Sequence, residues 1–150
     1  MKFLYFLLMS VILSWGGKSQ IIKCTSQEWV GGLQESGYGT DYKLTIKAKA
    51  GSDQLHFEDL WVGDVHMKVR VSADPANTQS TSFKKGSLVS VRAGITFRPD
   101  SQGQIKLSAA DSAKKPFNFK GEGLLGYTYK GHKAYLEIAE FQKLEKIIYP

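Results

Sequence analysis

The stretch Tyr42–Ala50, which reads YKLTIKAKA, alternates between apolar and polar residues along its whole length. Successive side chains of a β-strand point to opposite faces of a sheet, so this alternation predicts a strand with one face in a core and one in water. The wet face would carry Lys43, Lys47 and Lys49. A strand that is apolar on one side has to pack against a second layer, so the stretch predicts a sheet-based core.

A hairpin is predicted immediately after this strand, from the segments Gln54–Val62 and Val65–Ser72. The two residues between the segments, Gly63 and Asp64, suit a type II′ turn, which takes glycine in its first central position. This turn sets the register of the two strands. The predicted cross-strand pairs are Asp59 with Lys68, Leu60 with Met67, Trp61 with His66, and Val62 with Val65.

The first strand of this hairpin changes its apolar phase along its length. Leu55 and Phe57 occupy odd positions, whereas Leu60 and Val62 occupy even ones. One extra residue in a strand turns every following side chain to the opposite face. We therefore predict a β-bulge near Glu58–Asp59.

Further strands are predicted where alternation is bounded by turn residues. They cover Thr25–Val30, Leu88–Phe97, Gln104–Leu107, Phe117–Lys120, Leu124–Tyr129 and His132–Ala139. The tail after Glu140 fits either a short helix or an edge strand. Eight or nine short strands without a convincing interior helix indicate an all-β, antiparallel protein.

Two long polar connections, 73–86 and 108–116, help to decide which all-β architecture the chain adopts. They interrupt what would otherwise be a continuous meander, and this favours an immunoglobulin-like β-sandwich of about eight strands. A closed, lipocalin-like β-barrel is the alternative. No internal repeat, linker or low-complexity tract divides the chain, so we expect residues 20–150 to form a single domain.

Residues 1–19 have the pattern of a cleaved signal peptide. Lys2 provides the positive charge, and Phe3–Trp15 is an uncharged apolar run of thirteen residues, shorter than a membrane span requires. Small residues stand three and one positions before a cut between Ser19 and Gln20. We therefore expect an exported protein with no membrane span after leader removal, located in the periplasm, on the cell surface or outside the cell.

The chain has one cysteine, Cys24, so no disulfide forms within it. An exported domain without disulfides is typical of a bacterial envelope and not of a small secreted animal module. A lipid anchor on Cys24 is the alternative to release at Gln20, because Ile21 and Ile22 resemble the apolar residues of a lipobox. Lys23 argues against that anchor, since the residue before a lipidated cysteine is normally small.

The charge balance excludes one class of partner. The full chain has a formal net charge of +6, and removal of Lys2 and Lys18 with the leader lowers it to +4. This mild excess falls short of the concentrated basic patch of a nucleic-acid-binding protein. We therefore expect no nucleic-acid partner.

Motifs for catalysis, cofactors and metals are weak. The segment Gly121–Gly126 (GEGLLG) matches a dinucleotide-binding pattern, but a predicted hairpin and not a helix follows it. The histidines, His56, His66 and His132, lack metal-binding spacing, and no serine lies in a nucleophile elbow. We therefore expect no enzyme, no cofactor and no metal site.

Lysines and one arginine are candidates for a basic face. Lys43, Lys47 and Lys49 line one predicted strand, and Lys68 and Arg70 line another. If the two strand faces join, they suit an anionic partner such as an acidic glycan or the envelope surface. Lysines on the wet side of a sheet also serve solubility alone.

Aromatic side chains at turns are candidates for contacts with a protein or glycan partner. Tyr38 lies in a glycine-rich segment, and Trp61 is paired with His66 in the predicted hairpin. Exposed rings at such places can stack on a sugar or on a partner's side chain. The long loop 73–86 is a further candidate contact.

These observations lead to three functional hypotheses. The first is an exported, non-catalytic β-sandwich that binds a partner through surface loops. The second is a β-barrel carrier of a small apolar ligand, with a cavity lined by residues such as Val69, Val91, Leu125 and Tyr127. An enzyme is the third, and it would need a cleft in which titratable residues converge.

Overall fold

The computed structural model describes residues 19–73, 79–108, 110–111 and 113–150, and these residues form an almost entirely β structure. They contain one short 3₁₀ helix, Gln34–Ser36, and twelve strands. The strands are β1 (Gln20–Val30), β2 (Tyr38–Lys47), β3 (Leu55–Val62), β4 (Val65–Lys68), β5 (Arg70–Ser72), β6 (Leu88–Pro99), β7 (Ile105–Ser108), β8 (Ala110–Asp111), β9 (Gly123–Tyr129), β10 (His132–Ile138), β11 (Gln142–Lys143) and β12 (Ile147–Ile148).

The strands form two sheets that pack face to face. Sheet A has the order β11-β1-β2-β6-β5, with β12 also beside β1 and β7 also beside β6. Sheet B has the order β10-β9-β3-β4-β8. The sheets are not closed into a barrel, so the predicted β-sandwich is confirmed and the barrel alternative is wrong.

The pairing of β2 with β6 forms the centre of sheet A. It runs without interruption from Tyr38 opposite Phe97 to Lys47 opposite Leu88. The predicted alternation holds along it, since Leu44 is buried between two wet neighbours. The strand ends at Lys47, earlier than predicted, although Ala48 still exchanges backbone hydrogen bonds with Ser87 and Gly86 just before β6.

The core lies between the inner faces of the two sheets. Its fully buried side chains include Leu44, Ile46, Leu55, Leu60, Val89, Val91 and Leu125. Burial of each large aliphatic side chain contributes about 1.5–3 kcal/mol to folding. This apolar layer joins the sheets without any cross-link, because Cys24 is a free cysteine.

Sheet B follows the predicted hairpin. Trp61 lies opposite His66, and Leu60 lies opposite Met67. The register of β3 against β9 shifts between Phe57 and Asp59, which is the predicted bulge. The bulge turns both Phe57 and Leu60 into the core, although they have opposite parity in the sequence.

The two ends of the described chain meet along β1. This strand begins at Gln20 and is longer than the predicted Thr25–Val30. Residues after Phe141 run parallel to it as β11 and β12, so the tail is an edge strand and not a helix. The Phe141 ring reaches the core beside Tyr42, with ring centroids 5.0 Å apart.

The predicted leader falls on residues 1–18, which lie outside the described residues, and on Ser19. Ser19 is buried, and its hydroxyl accepts a hydrogen bond from the backbone N–H of Lys49 at 3.2 Å. Within the described part of the chain, no helix is long and apolar enough to cross a membrane.

The tail provides a test of the packing. Replacing Phe141 by alanine removes a ring that is 6% exposed, and we expect the free energy of unfolding to fall by roughly 3–5 kcal/mol. The control is Leu144→Ala, since Leu144 is 40% exposed in the same tail and should change stability by less than about 0.5 kcal/mol. Urea unfolding of both variants measures the difference, and equal losses would contradict this anchoring role.

Candidate functional site

The outer face of sheet A is strongly basic. The strand registers bring to this face seven basic side chains among the described residues and a single acidic one, Asp41. The basic residues are Lys23, Lys43, Lys47, Arg70, Arg92, Arg98 and Lys106. One of the seven, Lys106, is paired with Asp100, whose Oδ2 lies 2.8 Å from its Nζ.

Three of these cations form a row across neighbouring strands. Lys43 on β2 lies directly opposite Arg92 on β6, which lies directly opposite Arg70 on β5. Directly opposed residues have their Cβ atoms about 4.5–5.5 Å apart, and like charges in such pairs destabilise a sheet. Core packing gives no reason for this row, because all three side chains point away from the core; Asp41 is the carboxylate close to Arg70 and Arg92.

A cleft of about 800 Å³ lies over this row. We define the cationic cleft by its four basic residues, Lys43, Lys68, Arg70 and Arg92. Thr25 and Gln27 of β1, Thr96 of β6 and Leu144 of the tail also line it. Arginine guanidinium groups bind carboxylate, sulfate and phosphate oxygens in a bidentate manner, so the cleft suits an anion.

Asp41 is the one carboxylate in the cationic cleft. It lies against Gly94, where an added Cβ would stand 2.8 Å from its Oδ1. Partial burial raises the pKa of Asp41, although a hydrogen bond from Trp29 and the charges of Arg70 and Arg92 act to lower it. The missing side chain at Gly94 is what allows the carboxyl group to lie on the sheet.

A second cleft of about 440 Å³ continues the same surface toward the end of the sandwich. We call it the aromatic cleft, because the rings of Trp29 and Tyr149 line it together with Leu33, Glu35 and Arg98. The two rings stand edge to face, with centroids 6.4 Å apart and planes at 69°. The Trp29 ring also lies on Gly39, where an added Cβ would be 3.0 Å from the indole atoms Cε2 and Cζ2.

The predicted basic residues divide between locations. Lys43, Lys47 and Arg70 lie on the outer face of sheet A. Lys68 belongs to sheet B, where its Nζ is 2.7 Å from Asp59 Oδ1, but it also lines the cationic cleft. Lys49 follows the end of β2 and does not line the cationic cleft; its Nζ lies 4.0 Å from the centroid of the Tyr129 ring in sheet B.

Arg92 is one of the functional candidates that the sequence did not single out, together with Trp29 and Tyr149 of the aromatic cleft. It lies in the predicted strand Leu88–Phe97, at a position between the apolar residues Val91 and Ala93. The same alternation that put Val91 in the core placed Arg92 on the wet face. The sequence pattern therefore shows that Arg92 faces water. Only the pairing of β6 with both β2 and β5 shows that Arg92 lies beside Lys43 and Arg70.

Trp61 and His66 are not at the surface, and the expectation that they are exposed is wrong. They are 5% and 1% exposed, and their ring centroids are 4.9 Å apart. The connection after β8 crosses the outer face of sheet B and covers Trp61, whose Nε1 donates a hydrogen bond of 3.4 Å to the carbonyl of Ala113. Sequence alternation gave the face of the sheet but could not predict this cover.

Asp59 is buried beside these rings and makes short polar contacts. Its Oδ1 is 2.7 Å from His66 Nε2 and 2.7 Å from Lys68 Nζ, and its Oδ2 is 3.8 Å from Lys133 Nζ. Burial alone would raise the pKa of Asp59, but the hydrogen bonds and charges of Lys68 and His66 outweigh burial and hold the pKa below its usual value. Asp59 lies opposite Lys68 as predicted, and the ion pair between them has a structural role.

Tyr38 is exposed, as expected, but it begins β2 and does not lie in a loop. Its ring is 44% exposed and stacks on Phe97, with centroids 5.2 Å apart. The strand registers set Val30 and Leu107 in the same cross-strand row. A contact between Tyr38 and a partner stays a prediction.

Cys24 lies in β1 and not in a frayed N-terminus. Its thiol donates a hydrogen bond of 3.1 Å to the carbonyl of Glu140. Burial raises the pKa of Cys24, and the nearby charges of Glu122 and Glu140 raise it further. A raised pKa lowers the thiolate fraction, so this thiol is a weak nucleophile.

The described residues contain no group of three or more His, Cys, Asp or Glu side chains that could hold a metal ion. Comparisons with protein-family models, with curated proteins and with solved structures find no match for this chain.

The Asp59 contacts predict an acid-dependent loss of stability. Asp59→Asn should lower the free energy of unfolding by roughly 3 kcal/mol at pH 7, because Lys68 and His66 lose their charged partner. The folded-state pKa of Asp59 is lowered, so the carboxylate stabilises the fold above about pH 4 and this stability is lost as the pH falls through the folded-state pKa.

Urea unfolding at pH 7 and at pH 3 measures this effect. The difference between wild type and Asp59→Asn should shrink at pH 3. Asp64→Asn is the matched control, because Asp64 forms an exposed ion pair with Lys115 and its loss should leave stability unchanged. A difference between wild type and Asp59→Asn that stays constant with pH would contradict this role.

Proposed function

We propose that this protein is a non-catalytic binding protein that holds an anionic ligand in the cationic cleft. The observation that carries the proposal is the row of Lys43, Arg92 and Arg70 on three adjacent strands. Three like charges in direct opposition cost stability in the free protein. A bound anion offsets this cost and gains charge-assisted hydrogen bonds.

The position of the row on a rigid surface also supports binding. β2 and β6 are paired along ten residues without a register shift, so the Lys43 and Arg92 backbones are held by a regular ladder at the centre of sheet A. A site built on strands needs little ordering when the ligand arrives, which reduces the entropic cost of binding. This surface replaces the loops at one end as the preferred contact region.

The packing between the sheets supports surface binding over the carrier alternative. That alternative required Val91, Leu125 and Tyr127 to line a ligand cavity. These side chains are instead buried within the apolar core, at 0%, 0% and 3% exposure. The cationic cleft, by contrast, opens to solvent on the outer face of sheet A.

Export remains part of the proposal, and the course of β1 supports the predicted cut. Cleavage between Ser19 and Gln20 leaves the whole of β1 in the mature chain. Cleavage before a lipidated Cys24 would remove Gln20–Lys23, including Ile21, which packs against the core. We therefore favour release at Gln20 over a lipid anchor.

The first functional test removes charge from the row. The double variant Arg70→Gln/Arg92→Gln should weaken binding to a sulfated polysaccharide such as dextran sulfate by at least about tenfold, since each charge-assisted hydrogen bond contributes about 1.5–3 kcal/mol. Isothermal titration calorimetry at several salt concentrations measures the affinity. The wild-type affinity should fall as salt rises, because exposed charges are screened.

The matched control for this test is Lys114→Gln/Lys120→Gln. It removes the same number of charges from exposed positions in the segment after β8. A nonspecific effect of net charge would weaken binding equally in both double variants. Equal weakening, or no binding by the wild type at low salt, would contradict the proposed function.

Export is tested at the N-terminus. Mass spectrometry of the protein purified from fractionated cells should give a chain that begins at Gln20 and is found outside the cytoplasm. A diacylglyceryl mass on Cys24, or a chain that retains Met1 in the cytoplasm, would contradict this part of the proposal.

A further inference from the structure

We infer that the anionic ligand is an acidic polysaccharide, with a sugar ring in the aromatic cleft and its acidic groups over Lys43, Arg92 and Arg70. This inference rests on the proposed function and adds the class of ligand. It depends on the joint use of both clefts. The aromatic cleft is the part that a simple anion would leave empty.

The Trp29 ring is fixed for stacking. It packs flat against the backbone of β2, because Gly39 has no side chain that would hold the ring away from the strand. A hydrogen bond from the Trp29 side chain to Asp41 holds the indole at its other side. A large apolar ring held in one orientation on a strand offers a flat surface at low entropic cost.

The walls of the aromatic cleft match the chemistry of a sugar. Tyr149 is 49% exposed and stands at a steep angle to Trp29, so the two rings form a floor and a wall. Glu35 and Arg98 add an acceptor and a donor at the border of the cleft. A pyranose ring has an apolar face of C–H groups and a rim of hydroxyls, and it needs this combination of aromatic and polar groups.

The two clefts follow one another along the wet face of β6. Arg98 lines the aromatic cleft, whereas Thr96, Gly94 and Arg92 line the cationic cleft. Trp29 on β1 lies directly opposite Gly39 on β2. Lys43 is four residues further along β2, a separation of about 13 Å. A ligand that fills both clefts therefore has to be extended and to carry charge at a distance from the stacked ring.

The carboxylates in the two clefts favour sugars over polyphosphates and nucleic acids. Asp41 lies between the aromatic ring and the cationic row, and Glu35 borders the aromatic cleft. Polyphosphate would bring negative charge against both groups without any hydroxyl to pair with them, and like charges repel. Sugar hydroxyls instead donate hydrogen bonds to carboxylates.

The test compares probes that separate charge from sugar chemistry. The acidic polysaccharides are dextran sulfate and polygalacturonate, the neutral one is dextran, and the other polyanions are polyphosphate and oligothymidylate. We expect both acidic polysaccharides to bind more tightly than dextran and than either polyanion. Calorimetry gives the affinities, and quenching of tryptophan fluorescence that is lost in Trp29→Ala identifies stacking on this ring.

Variants of the aromatic cleft provide the second arm. Trp29→Ala and Tyr149→Ala should each weaken the acidic polysaccharides by roughly 3- to 10-fold and leave polyphosphate binding unchanged. Phe117→Ala is the matched control, because Phe117 is 47% exposed but lies on the side of sheet B. Tyr149→Ala keeps the test decisive if Trp29→Ala impairs folding.

The outcomes separate this inference from the proposed function. If oligothymidylate or polyphosphate binds as tightly as the polysaccharides, or if Tyr149→Ala weakens them no more than Phe117→Ala does, the sugar assignment is overturned. If binding still depends on Arg70 and Arg92 in that case, the proposed anion site is retained and only the sugar assignment fails. If no polyanion binds, both proposals fail.

Discussion

The uninterrupted pairing of β2 with β6 is the constraint on which the rest of the structure depends. Because each residue in this ladder faces one side only, a single register decides both surfaces of sheet A. The inner side, with Leu44 and Val91, is the centre of the core. The outer side, with Lys43 and Arg92, is the floor of the cationic cleft. A slip by one residue would exchange the two sets and destroy the core and the cleft together.

The same ladder explains how the clefts have depth on a sheet surface. Strands normally cover both faces with side chains, but Gly39 and Gly94 leave the backbone bare on the outer face. Trp29 fills the first gap and Asp41 lies over the second. Glycine at positions 39 and 94 lowers the β-propensity of the two strands, and the row of Lys43, Arg92 and Arg70 adds charge repulsion. Both effects destabilise the sheet, and both are explained if this surface binds a ligand.

Much of the fold could be predicted from the sequence, because period-two alternation and turn chemistry act locally. The β-bulge before Asp59 and the pairing of Trp61 with His66 follow from apolar parity and from Gly63, which has φ of +59°. The parallel position of the tail beside β1 could not be predicted, since it depends on contacts between residues far apart in the chain. The burial of Trp61 had the same cause, because a distant connection covers it.

The candidate site was only partly predictable for the same reason. Alternation assigns Lys43 and Arg70 to wet faces, but it does not say which strands are neighbours. Arg92 became a candidate only when β6 was found between β2 and β5. Lys49 is not part of the basic outer face of sheet A, because β2 ends two residues before it. Local pattern therefore predicts which residues face water, and topology decides which of them meet.

The most direct measurement of the central claim is a map of the bound surface by NMR. Amide and indole signals of the labelled protein would be followed during titration with a short sulfated oligosaccharide. We expect shifts concentrated on Lys43, Arg70, Arg92 and the Trp29 indole, all on the outer face of sheet A. Shifts concentrated on sheet B around Trp61, or spread evenly over all exposed lysines, would contradict this claim.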